Sequence, residues 1–288
     1  MSLARYYAWL SRFQDVARAV GHDTGQATLS VHRLLATPSG AVSGDVVHER
    51  VLAALDDLRS PSTELVGLDA GCGLGGTTFY LQARLGGTWH GITLSPEQRD
   101  RAARAAAQRG LAQTCRFTVR GYDEPLGDLL PDGADVIIAI ESLAHSPDPV
   151  ASVTHLAALL RPGGRLVVVD DLPEDGLSVT DADFAAFRRG WICPVVASAS
   201  RLLDACRSAG LVVRGDHDLT PLLRPRDPRA LARLVRLNEL ASWLLRVTPA
   251  RVLLGSLHGG LMLERLYARQ QMRYRLLVAE RPLSAEAS

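Results

Sequence analysis

The 288-residue sequence contains no lysine, so arginine carries all of its non-histidine positive charge. The 32 basic side chains balance 31 acidic ones, for a net charge of +1. No basic face for nucleic-acid phosphates is implied. The arginines, with the many alanines, read as compositional bias. Cysteine is also scarce. Cys72, Cys115, Cys193 and Cys206 are scattered without paired spacing, which supports neither a metal site nor a disulfide framework. A reduced, cytoplasmic setting is the expectation. No eighteen apolar residues run together, so no membrane-spanning helix is expected. The start, "MSLARYYAWLSRF", lacks the apolar core and cleavage site of a secretory leader. What is present is 47% apolar, in a chain long enough to bury a sizeable core, which fits a soluble globular enzyme.

Short apolar runs alternate with helix-length segments: "LVGLDA" (65–70), "TWHGITL" (88–94), "CRFTVR" (115–120), "DVIIAI" (135–140), "RLVVVD" (165–170), "LVVRGDHD" (211–218) and "RYRLLVAE" (273–280). Strands separated by amphipathic segments such as "SPEQRDRAARAAAQRG" form βαβ units, and hence a parallel sheet with helices on both faces. Two regions break the rhythm. Residues 1–50 carry helical pattern with glycine and histidine interruptions and read as an N-terminal helical cap. Residues 219–272 are far too long for a simple connection. "PRALARLVRLNELASWLL" and "LLGSLHGGLMLERLYARQQ" within them have helical apolar spacing. The division is thus a cap over 1–50, a core over 51–218, a helical insertion over 219–272 and a last strand with tail over 273–288.

"VGLDAGCGLGGTTFYLQARLG" follows the first strand and opens a helix, with Gly71, Gly73 and Gly75 able to turn sharply and admit a ligand. The second strand ends "GITLSPEQ" instead of in the ribose-binding acid of dinucleotide folds. Thr93, Ser95 and Gln98 offer hydroxyl and amide partners there, and Ser95 also suits the cap of the next helix.

"LDAGCGLGG", "GITLSPEQ", "AIESLAHSPDP" and "LLRPGGRLVVVD" together resemble, in order and spacing, the class I S-adenosylmethionine-dependent methyltransferases, and within them the tocopherol, sterol and cyclopropane-fatty-acid branch. The resemblance covers roughly residues 60–175. It implies a Rossmann-like, seven-stranded doubly wound α/β sheet whose last strand is antiparallel, with S-adenosylmethionine as cofactor and S-adenosylhomocysteine as product. It implies further that Gly71 and Gly73 lie against the methionine part, with Asp69 holding either the turn or the ammonium, that Thr93, Leu94 and Gln98 hold ribose, that Tyr122 and Asp123 flank adenine, and that Ile140 packs near the sulfonium.

In "IESLAHSPD", Glu141 and His145 fall at the mouth of that site and are the candidate catalytic residues. Ala144 stands where the related enzymes carry a second acid, which argues against bicarbonate-assisted cyclopropanation. Glu141 would stabilise a carbocation formed on an olefin acceptor; alternatively, it ties down a backbone amide while His145 begins a turn. Tyr6, Tyr7, Asp170, Asp171 and Trp191 are weaker candidates. His32, His217 and His258 read as ordinary polar or cap-lining residues. The leading expectation is methyl transfer to a lipophilic small molecule, isoprenoid, sterol-like or prenylated aromatic, with carbon as the favoured acceptor. O- or N-methylation in specialised metabolism is the alternative, with His145 as base; a non-methylating cyclase, isomerase or regulator is the third. No nucleic-acid partner and no stable membrane insertion are expected. The apolar insertion faces either the acceptor, a second copy in a homodimer, or the N-terminal segment.

Overall fold

In the computed structural model the described residues are Leu29, 32–58, 65–248 and 250–283. Tyr6 and Tyr7 fall outside them.

The seven apolar runs form one sheet: β1 (Val66–Ala70), β2 (Thr88–Thr93), β3 (Cys115–Val119), β4 (Ala134–Ile140), β5 (Leu160–Pro173), β6 (Val212–Asp218) and β7 (Met272–Glu280). Their spatial order is β3-β2-β1-β4-β5-β7-β6. The first five are parallel, and β7 runs antiparallel to both β5 and β6. The direction of strand addition reverses between β1 and β4, and ligands of open α/β sheets lie beyond the carboxyl ends of the strands at such a reversal.

Alternation along the strands sends side chains to opposite faces. Leu68, Ile137, Leu166 and Val168 fill one core. Val136, Ile138, Val167 and Tyr274 fill the other, with Trp89. The helices are α1 (Asp45–Ala53), α2 (Gly76–Leu85), α3 (Pro96–Gln108), α4 (Pro149–Ala158), α5 (Ala182–Trp191), α6 (Ala199–Ser208), α7 (Pro228–Leu244) and α8 (Ala250–Ala268). Several starts are written plainly in the sequence. Ser95, Asp148 and Asp227 accept hydrogen bonds from the first-turn amides of α3, α4 and α7, and each precedes a proline. Such caps contribute about 1 kcal/mol each.

Most of the N-terminal cap region, residues 1–28, lies outside the described residues. Among the described residues up to 53, Leu35–Ala36 and Val42–Ser43 pair antiparallel across a turn in which Gly40 takes φ +86°, and Asp45–Ala53 is helical. The insertion supplies α7 and α8, which form a third apolar cluster with α5 through Phe184, Phe187, Leu231 and Leu263. The seam between α5 and α8 is backbone against backbone: a Cβ on Gly190 would lie 2.5 Å from the Gly255 carbonyl oxygen and 2.8 Å from Gly259 Cα. On α7, Leu237 and Trp243 remain 62% and 63% exposed, with the Arg246 guanidinium over the Trp243 ring at 5.5 Å. No helix among them is long and apolar enough to cross a membrane.

Candidate active site

The strand-to-helix turn after β1 is built on left-handed glycines, Gly71 at φ +93° and Gly73 at +53°. A side chain at Gly71 would also collide with Ser142, whose hydroxyl donates to the Ala70 carbonyl at 2.7 Å. The loops after β1 and β4 are thereby stitched together, leaving glycine backbone as the floor of a cavity of about 290 Å³. Asp69 ends β1 there and accepts the Thr78 hydroxyl at 2.7 Å. Its burial pushes the carboxyl pKa up to about 6.

Of the residues singled out in the sequence, Asp69, Gly71, Gly73, Thr93, Leu94, Gln98, Tyr122, Ile140, Glu141 and His145 all line this one cavity. Thr93 donates its hydroxyl to the Gln98 side-chain oxygen at 2.8 Å, fixing the amide's orientation. Ser95 caps α3 through Gln98 N–H at 3.3 Å. Tyr122 is buried, and its hydroxyl donates to the Ser142 carbonyl at 2.5 Å. Asp123 is exposed, with its carboxylate folded back over Gly121, and does not border the cavity.

Glu141 sits at φ +48°, an uncommon conformation for a non-glycine residue. Its own N–H donates to the Val169 carbonyl at 2.7 Å. Its Oε1 accepts from the Arg33 backbone N–H at 2.9 Å and the Tyr274 hydroxyl at 2.8 Å. The carboxylate therefore ties down a backbone amide, as the plainer sequence reading had it, and still borders the cavity. Arg33 grips Asp171 with two nitrogens, at 3.0 and 2.7 Å. The Tyr267 hydroxyl also donates to Asp171. Around the guanidinium stand the rings of Trp191, Tyr267 and Tyr274, at 5.6, 5.4 and 5.8 Å. Burial is the main cause that raises the Glu141 pKa; Arg33 opposes it.

His145 closes the short 3-10 turn Leu143–His145. Its Nδ1 lies 3.3 Å from the Ile192 carbonyl oxygen, a group that only accepts. The hydrogen therefore resides on Nδ1 and the lone pair on Nε2. Burial lowers the imidazole pKa, holding it neutral. Asp170, also on the cavity wall, is pushed up to about 8 by burial and then by Asp171. Trp191 lines the wall and donates to the Ser256 carbonyl at 3.0 Å.

Sequence reasoning missed Arg33, Tyr267 and Tyr274. It also passed over His32, which lines the cavity with its Nε2 2.9 Å from His48 Nε2. Arg33 and Asp171 are 138 residues apart, and no local pattern marks such a pair.

A turn of bare glycine backbone, a buried acid, a hydroxyl–amide pair and apolar Leu94 and Ile140 around one cavity suit a nucleoside carrying a charged amino-acid tail. A family model described as "Methyltransferase domain" matches residues 68–166. The probable tocopherol O-methyltransferase of Oryza sativa subsp. japonica is 37% identical over 118 residues, 41% of this chain, and the match spans only 31% of that protein's length. O-methyltransferase cnsE of Penicillium expansum is 32% identical over 65% of this chain and 67% of its own. Among solved structures, geranyl diphosphate C-methyltransferase from Streptomyces coelicolor superimposes with a TM-score of 0.66 at 20% identity, over 97% of this chain and 96% of that one. With the sheet order above, these matches establish that the chain belongs to the class I S-adenosylmethionine-dependent methyltransferases.

Proposed function

We propose that the protein methylates a hydroxyl group of a small, partly apolar acceptor of specialised metabolism, with His145 as general base. The observation that carries this reading is the placement of His145: neutral by burial, with Nδ1–H on the Ile192 carbonyl and the ring on the cavity wall. In that tautomer Nε2 is the ring nitrogen with the lone pair that would take the proton a hydroxyl loses. Glu141, in contrast, is already engaged by Arg33 N–H and Tyr274, which suits it to shaping the wall.

The residues fit the cofactor. Gly71 and Gly73 would lie against its methionine part, Asp69 near its ammonium, Thr93 and Gln98 near ribose, and Ile140 beside the sulfonium. When bound, S-adenosylmethionine supplies an electrophilic methyl group. The protein's part is to align the acceptor oxygen, exclude water and hold the proton at His145. Alignment lowers barriers by up to about 7–11 kcal/mol in ideal intramolecular cases. Trp191, Phe187 and the apolar wall exclude water from the acceptor side.

A second reading, carbon methylation of an olefin, is favoured by the Phe187 and Trp191 side chains sharing the cavity wall with Glu141. Aromatic faces and a carboxylate stabilise a carbocation.

The test is incubation with methyl-labelled S-adenosylmethionine and a small-molecule extract of the source cells, followed by hot hydriodic acid on the isolated product. Release of the label as methyl iodide supports O-methylation; label that stays on carbon supports the second reading and removes His145 from the chemistry.

A further inference from the structure

A second hollow of about 560 Å³ adjoins the cofactor cavity, and His145 and Cys193 line both. His145 therefore stands in the partition between a chamber built for the cofactor and a basin whose other residues have no part in it. The basin is bordered by Pro147, Ile192 and Pro194, and by two arginines, Arg188 and Arg189; no aspartate or glutamate borders it.

The two arginines differ in what they do. Arg188 donates Nε–H to the Cys193 carbonyl at 3.2 Å and a terminal N–H to the Pro194 carbonyl, so it braces the segment that forms the basin wall. Arg189 is exposed and makes no hydrogen bond or ion pair among the described residues. Both lie in the last turn of α5, where positive charge complements the helix dipole. That accounts for one cation on a helix end, but not for a second, unpartnered one bordering an apolar hollow that opens onto the base.

We propose that this basin binds the non-reacting portion of the acceptor, an amphipathic molecule bearing a carboxylate: the anion pairs with Arg189, the apolar body lies along Ile192, Pro194 and Pro147, and the hydroxyl is presented past His145. The assignment rests on the reading of His145 as the base of an O-methylation. A guanidinium matches a carboxylate with two parallel hydrogen bonds, which gives the acceptor a fixed direction as well as affinity.

The test uses 4-hydroxycinnamate and its uncharged methyl ester as probes, titrated calorimetrically into protein saturated with S-adenosylhomocysteine. The acid is expected to bind about tenfold or more tightly than the ester, an advantage that Arg189→Glu abolishes and His145→Gln leaves intact. Arg189 is a surface residue, so an unchanged melting temperature for the variant confirms that the fold is kept. Equal binding of acid and ester, no measurable binding of the acid at millimolar concentration, or an acid affinity indifferent to Arg189→Glu would each overturn the proposal. A separate outcome strikes the underlying reading alone: Arg189-dependent binding of the acid, together with an enzymatic product that releases no methyl iodide in hydriodic acid, leaves the basin standing and removes O-methylation.

Discussion

The hydroxyl of Tyr274 reaches Oε1 of Glu141 at 2.8 Å, so the antiparallel strand β7 holds the residue that follows β4 although β5 lies between them. The register explains the reach. Tyr274 pairs with Asp171 at the carboxyl end of β5, where the phenol is long enough to pass over its neighbour. Tyr274→Phe removes one of two donors to a half-buried carboxylate, and should cost about 1–3 kcal/mol. A urea titration that shows no loss would mean that Arg33 N–H alone satisfies Glu141.

Asp170 gives the apo protein a pH dependence of defined sign. Its carboxyl pKa rises from an ordinary 3.8 to about 8 on folding, because burial disfavours the charge. Between these values the folded chain holds a proton that the unfolded chain releases. Its contribution is therefore fully present below the unfolded value and is lost as pH rises toward 8. The slope is about 1 kcal/mol per pH unit. Asp170→Asn should flatten the fall of the melting temperature between pH 5 and pH 8; an unchanged fall would assign it to other groups.

Gly71→Ala should impair cofactor binding and stability together. The position combines φ +93° with contact against Ser142, and a left-handed conformation alone costs an alanine roughly 1–2 kcal/mol. Titration with S-adenosylhomocysteine should show an affinity loss of about tenfold or more. Gly176→Ala, also at positive φ (+90°) but with open space around it, is the control: it should share the backbone strain and keep the affinity.

His145→Gln should lower kcat by about 10²–10⁴-fold while leaving the affinity for S-adenosylhomocysteine unchanged. The working form is the neutral imidazole, and burial lowers its pKa below the ordinary 6.5. The acid limb of kcat/KM should thus fall below pH 6.5, with activity sustained at values where a solvated histidine is already protonated. A limb at or above 6.5 would exclude His145 as the titrating group.

Most of what positions the site could be read from local pattern. The strands were visible because buried parallel strands are continuous apolar runs, and the glycine turn because its backbone shape admits few other residues. The insertion was visible because fifty-odd residues exceed any ordinary connection. The Arg33–Asp171 and Glu141–Tyr274 pairs were not, since they join segments more than 130 residues apart that meet only once the sheet is assembled. Asp123 illustrates the reverse failure: its place after Tyr122 was legible, but not that its carboxylate turns back over Gly121. The strands around Gly40 are two residues each, too short to show alternation.

The seam where Gly190 meets Gly255 and Gly259 sets a limit on how this enzyme can diversify. Part of the wall behind Trp191 and Ser256 is main chain on main chain, and a Cβ added at Gly190 or Gly259 prises the two helices apart, whereas one at Gly255 meets open space. Descendants seeking new substrates would have to vary the rim residues instead, and Gly190 and Gly259 would persist through such changes as a fixed hinge-pin of the chamber.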